Sequence, residues 1–196
     1  LESTRQAKEK GLSLVSGLCY RYQFAKQETV RLIQEGAVGD IRILQCTYNT
    51  GELWYREPQP GWTDMETQMR NWLYFDWLSG DHIAEQHIHS LDKLAWAMGN
   101  VYPLRATSSG GRSKRTDPKF GNIYDHFNTV YEWEDGVVGF SSCRQMSGCA
   151  SNVSDYVYGT KGVANIQGHS IKTDDGQSWR YRSDASENWS QRRLGV

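Results

Sequence analysis

The chain has 196 residues, enough for one large domain or for one domain with part of another, and no second full domain fits comfortably. Its 22 basic and 23 acidic residues leave a net charge of -1, so nothing electrostatic points to nucleic acid or an anionic membrane as partner. No apolar run approaches the roughly 20 residues that span a bilayer, and no signal peptide opens the chain. Eight Trp and eleven Tyr are many for this length; rings with polar edges suit half-buried surfaces, sugar-like ligands and subunit interfaces, although most pack ordinarily. Cys19, Cys46, Cys143 and Cys149 show no CxxC spacing, so free thiols are the default, and spacing alone leaves a Cys143–Cys149 disulfide open.

In chain order, residues Glu2 to Lys10 read as the end of a helix stopped by Gly11, and Leu12 to Leu18 as a short buried strand. A helix spans about Phe24 to Glu35, ended by Gly36 or Gly39. Asp40 to Tyr48 alternates Ile41, Ile43, Leu44 and Cys46 with polar residues, as a half-buried strand does. Asn49 to Met69, interrupted by Pro58 and Pro60, is predicted as a long ordered loop carrying Trp54, Tyr55 and Trp62. Asn71 to Leu78 leads into a histidine-rich helix, Ser79 to Trp96, that stops near Gly99.

Strands follow over Pro103 to Ser109, Asp125 to Trp133, Val137 to Arg144, Asn152 to Tyr158 and Gly162 to Gln167, with a short pair around Asp174-Asp175-Gly176. Glu134-Asp135-Gly136 is the strongest hairpin signal. The expected fold is α+β, an open and predominantly antiparallel sheet with helices on one face.

The histidine-rich segment carries the chemistry. At 3.6 residues per turn, His82, Glu85, His89, Asp92 and Trp96 fall on one helix face. A carboxylate four residues before an imidazole can accept its hydrogen bond, fix its tautomer and raise its pKa, as a proton shuttle requires. A core-facing helix with satisfied polar residues, or a metal site on His82, Glu85 and His89, fits the same residues, although HxxExxxH is not the zincin spacing. Gly110-Gly111-Arg112 and Gly159-Thr160-Lys161-Gly162 match neither phosphate-loop pattern and read as turns. Tyr20 and Arg21 follow the first strand at an edge where a polar substrate could bind, and Arg144 ends a later strand.

Three segments carry a resemblance. Gly17-Leu18-Cys19-Tyr20-Arg21-Tyr22 resembles a G-x-N-x-R-F turn, Glu35-Gly36-Ala37-Val38-Gly39-Asp40-Ile41 a G-x-I-G-x-I signature, and Ser79 to Gly99 a GG-x-x-x-D-x-x-x-H-x-x-D-x-x-x-W-x-x-G helix. Together they resemble the C-terminal part of the Gfo/Idh/MocA oxidoreductases, the family of glucose-fructose oxidoreductase and inositol dehydrogenase. The strings Asn71-Trp72-Leu73-Tyr74-Phe75, Ser79-Gly80-Asp81-His82, Gly121-Asn122-Ile123-Tyr124-Asp125-His126-Phe127 and Tyr158-Gly159-Thr160-Lys161-Gly162 resemble one branch of it, whose members often have no known substrate.

The resemblance implies that residues 1–22 are the remnant of a Rossmann domain and 23–196 the substrate and oligomerisation domain. It implies NAD or NADP in the whole protein, a sugar or polyol substrate, hydride transfer, and a dimer or tetramer assembled through the sheet, on a face expected to include Tyr131, Trp133, Val138 and Phe140. His89 would be the acid-base residue and Glu85 its carboxylate partner; Tyr20, Arg21, Asp92 and Arg144 would contact substrate, and no residue here would hold cofactor or metal. Glu85 stands where the family has Asp, His87 where it often has Gly, and the family's Glu-Lys-Pro lysine is not in this sequence. The chain alone is therefore expected to be inactive. A hydrolytic relative using bound NAD transiently and a non-catalytic dimerisation module are the competing readings; the compartment, cytoplasmic or periplasmic, stays open.

Overall fold

The structure is a computed structural model that describes residues 2–183. Eight strands form one open sheet in the order β2-β3-β4-β1-β5-β6-β7-β8. They are β1 (Ile41–Thr50), β2 (Arg105–Gly111), β3 (His126–Glu132), β4 (Val138–Gln145), β5 (Asn152–Gly159), β6 (Gly162–Asn165), β7 (Ser170–Thr173) and β8 (Ser178–Arg180). Every pairing is antiparallel except β1 against β4, which run parallel. The expected α+β class and its open, mostly antiparallel sheet are what the chain forms.

Two-residue alternation gives the sheet an inner and an outer face. Leu44 of β1 sits level with Gly139 and Val157, and Cys46 level with Ser141 and Asp155. These residues face two helices, α2 (Phe24–Gln34) and α6 (Ile88–Ala97), whose Val30, Ile33, Leu94 and Ala97 close the core over Leu44, Val157, Ala164 and Ile171. Each fully buried aliphatic side chain contributes roughly 1.5–3 kcal/mol. The turn from α2 into β1 seats on the β5–β6 hairpin, where Lys161 N donates to Val38 O at 2.8 Å. Gly159 must be glycine there, since a Cβ would overlap the Val38 carbonyl.

The outer face carries no helix among the described residues, and Ile43 and Phe140 are 41% and 48% exposed on it. Of the four residues expected on that face, Val138 and Phe140 lie there, whereas Tyr131 and Trp133 belong to the inner core. Trp133 follows the end of β3, so strand alternation does not fix its side, and its indole N–H donates to Val101 O at 2.9 Å.

Two further elements differ from expectation. Helix α1 (Glu2–Glu9) forms, but residues 12–16 are not a strand, and Leu12, Leu14 and Val15 are 62%, 62% and 73% exposed. An apolar run becomes a strand only with a neighbour to complete its ladder, and none of the eight strands runs beside it. The loop after β1 contains α3 (Asp64–Arg70), capped by Thr63, whose side chain accepts from Glu66 N at 3.2 Å. That Thr-x-x-Glu box was readable in the sequence.

Candidate acid-base site

The histidine segment is not one helix. After α4 (Asp76–Ser79) and a left-handed Gly80, α5 (Asp81–Glu85) ends, Gln86 and His87 form a widened turn, and α6 begins at Ile88. His87 N reaches back five residues to His82 O at 3.2 Å, a π-type turn that rotates α6 relative to α5. The single face expected for His82, Glu85, His89 and Asp92 is therefore split. His82 is 1% exposed with both ring nitrogens unpartnered, and burial, His87 and Arg115 push it down to about 3.

His87 is buried beside the sheet, its Nε2 2.6 Å from Ser141 Oγ and 3.8 Å from Cys46 Sγ, and burial drives it to about 4. Cys143 is buried, Cys149 exposed, and all four thiols are free.

The turn places His89 in the first turn of α6, half-buried, edge-on to Tyr20 with ring centroids 5.0 Å apart. Tyr20 lies in a 3-10 turn, Cys19–Tyr22, and its hydroxyl is hydrogen-bonded to Tyr48 of β1. Burial, then the Lys93 charge, lower the His89 pKa against an opposing pull from Asp92, so the ring is neutral at physiological pH. Glu85 ends α5 and is shifted up by burial alone. Its Oε2 and His89 Nδ1 are both buried without a hydrogen-bond partner, and burial, not a Glu85 contact, sets the direction of the His89 shift.

Arg21 and Asp92 are turned on each other. The guanidinium donates to Asp92 through Nε and Nη2 at 2.8–3.0 Å, gives Nη1 to Asn100 Oδ1 at 2.8 Å, and lies 5.4 Å from the Trp96 ring centre. Arg144, on the outer face of β4, donates to Ala150 O, and its Nε has no partner.

Beneath Tyr20 lies a cluster that sequence reasoning missed. Lys93 is fully buried, ion-paired with Asp155, and donates to Gln167 Oε1 at 3.1 Å. Lys26 of α2 is 2% exposed and donates to Gln23 Oε1 at 2.6 Å and to His169 Nε2 at 3.1 Å. Signals existed for three of these residues. Lys93 continues the Glu85–His89 spacing by four, Lys26 shares the stripe of Thr29, Val30 and Ile33, and Asp155 takes the inward position between Val153 and Val157. Nothing marks His169. Among the described residues no group of three or more His, Cys, Asp or Glu is placed to hold a metal ion. Nor, among the described residues, is any helix long and apolar enough to cross a membrane.

A neutral, half-desolvated imidazole beside a phenol, over a buried ion pair, can take a proton from a hydroxyl and return it. The family model for the GFO/IDH/MocA C-terminal domain matches residues 27–165. The chain belongs to the GFO/IDH/MocA family. Aldose-aldose oxidoreductase from Caulobacter crescentus, solved with glycerol, is similar in fold at a TM-score of 0.68 and 19% identity, over 96% of this chain and 52% of that one. GenD2 from gentamicin A biosynthesis, solved with NAD, gives 0.65 and 17% over 96% and 53%. A curated relative, 2,7-anhydro-N-acetylneuraminate hydratase of Escherichia coli (strain K12), is 26% identical over 136 residues, 69% of this chain and 33% of its own length. The chain thus spans about half the length of these structures and a third of that relative.

Proposed function

We infer that the whole protein is a nicotinamide-dependent oxidoreductase acting on a sugar or polyol, and that this chain supplies its substrate-facing, acid-base half. The observation that carries the reading is His89, neutral and edge-on to Tyr20 at 5.0 Å, the residue to which the sequence resemblance assigns the acid-base role. In the oxidative direction the imidazole takes the proton of the substrate hydroxyl as hydride leaves the same carbon; in reduction it returns that proton. Tyr20 orients the ring, the Arg21–Asp92 pair holds Tyr20's turn against α6, and Glu85, whose pKa burial raises, closes α5 just ahead of the turn into α6. Arg144 has no part in this reading.

The NAD bound in GenD2, a protein of similar fold, supports a nicotinamide dinucleotide as hydride carrier. The described residues offer it no pyrophosphate cradle: Gly110-Gly111 lies within β2, and Gly159 to Gly162 joins β5 to β6, with no helix following either. Bound, the carrier would accept or supply the hydride, held by a Rossmann domain of which residues 1–22 would be the end. Exposed Ile43 and Phe140 support assembly of copies through the outer sheet face.

The whole protein is tested with NAD and NADP against a panel of sugars and polyols. Accumulation of reduced nicotinamide with one of them, lost in His89→Ala, supports the reading; its absence across the panel overturns it. The Escherichia coli relative, named a hydratase, favours a second reading in which no net oxidation occurs. Product formation without net reduced nicotinamide would select that one.

A further inference from the structure

Two ammonium groups share one aromatic ring in this site. Lys26 Nζ is 4.7 Å and Lys93 Nζ 4.8 Å from the centre of the Tyr20 ring, the same ring that meets His89. Both lysines are buried, and buried cations need partners. The cluster provides them unequally: Lys93 has the Asp155 carboxylate, whereas the acceptors Lys26 contacts, Gln23 Oε1 and His169 Nε2, are neutral. His169 reaches Lys26 from the β6–β7 turn with a φ of 50°, a left-handed backbone that a non-glycine residue adopts at a cost. A methionine would fill the same volume without burying a charge. What the ammonium adds is a directed hold on the ring face.

We propose that Lys26 is a positioning residue of the acid-base site: with Lys93 it holds the Tyr20 ring, and Tyr20 in turn fixes the imidazole of His89. This rests on the reading of His89 as the proton-carrying group. The charged and titratable groups facing Lys26 are Lys93 from α6, Asp155 from β5, Cys19 from the 3-10 turn and His169 from the β6–β7 turn. Burial, then the Lys93 charge, bring Lys26 down to about 8, while burial and both lysines keep His169 near 4, a neutral acceptor. The hold on Tyr20 weakens as the pH rises through the Lys26 value.

The test is nuclear magnetic resonance on the whole protein with labelled tyrosine and histidine rings, titrated from about pH 7 to 9. Tyr20 and His89 signals shift with one common midpoint near 8, and the Tyr20–His89 ring contacts weaken over the same range. In Lys26→Met the step disappears and the contacts are weak throughout; Lys26→Arg restores them. Full-strength contacts in Lys26→Met, or no common step in the unmodified protein, overturn the proposal, and the second result decides even where the Met variant fails to fold. With a substrate in hand, Lys26→Met lowers kcat by about tenfold with KM unchanged. Unimpaired turnover by His89→Gln would sink the His89 reading while leaving the ring contacts to judge the hold itself.

Discussion

Arg21 grips Asp92 with two donors, Nε at 2.8 and 3.0 Å and Nη2 at 2.8 Å, and so ties the 3-10 turn that carries Tyr20 to the middle of α6, which carries His89. The fork geometry of a guanidinium on a carboxylate fixes orientation as well as distance. Asn100 and the Trp96 face hold the same guanidinium from its other sides, so the frame of the site is built from residues 71–79 positions apart in sequence.

Removing that grip should loosen the site before it unfolds the domain. The pair is mostly buried, with side-chain exposures of 28% and 10%. Arg21→Ala is expected to cost about 2 kcal/mol, and Arg21→Lys to recover less than half of it, because an ammonium cannot bond bidentately. Urea denaturation reads the cost as a lower midpoint at unchanged slope.

His82 gives the chain a dependence on acid. Its pKa is held at about 3 in the folded protein against 6.5 for the free side chain, so the unfolded chain takes up the proton first. The stability tied to neutral His82 is complete above about pH 6.5 and is lost progressively as the pH falls toward 3. Both its nitrogens are buried without partners, so His82→Met should raise stability at pH 7 by about 1 kcal/mol and flatten the loss between pH 6.5 and 4. Melts across that range check both signs.

The outer sheet face should hold copies of the protein together. Phe140 is 48% exposed at its centre, level with Val130 across the β3–β4 ladder. Phe140→Glu is expected to halve the mass seen by light scattering while leaving the far-ultraviolet spectrum unchanged, since the residue makes no part of the inner core. An unchanged mass would remove this face from the assembly.

The strands were legible because alternation survives at strand length: β5 was expected at Asn152 to Tyr158 and runs Asn152–Gly159. Leu12 to Leu18 looked equally good and failed, because pairing is decided by a neighbour that the segment itself cannot name. His89 was marked by helix spacing and Tyr20 and Arg21 by the edge of an expected strand that does not form; the resemblance gave them roles, and the structure brings them to one place. The break at Gln86 and His87 was not legible, since neither residue is a helix breaker, and it undid the one-face reading of His82 and Glu85. The buried Lys26–Lys93–Asp155 cluster was overlooked because charged residues are taken as surface by default; their positions on buried stripes were the stronger sign.

The central claim is that His89 carries the substrate proton. It is tested most directly by the pH dependence of kcat/KM for the whole protein and for His89→Gln, measured with whichever sugar or polyol yields reduced nicotinamide. The account predicts an acid limb from a group below the usual histidine value in the unmodified protein, and a loss on the order of 10²- to 10⁴-fold in His89→Gln with that limb removed. Activity within twofold of the unmodified protein, with the acid limb intact, would contradict it.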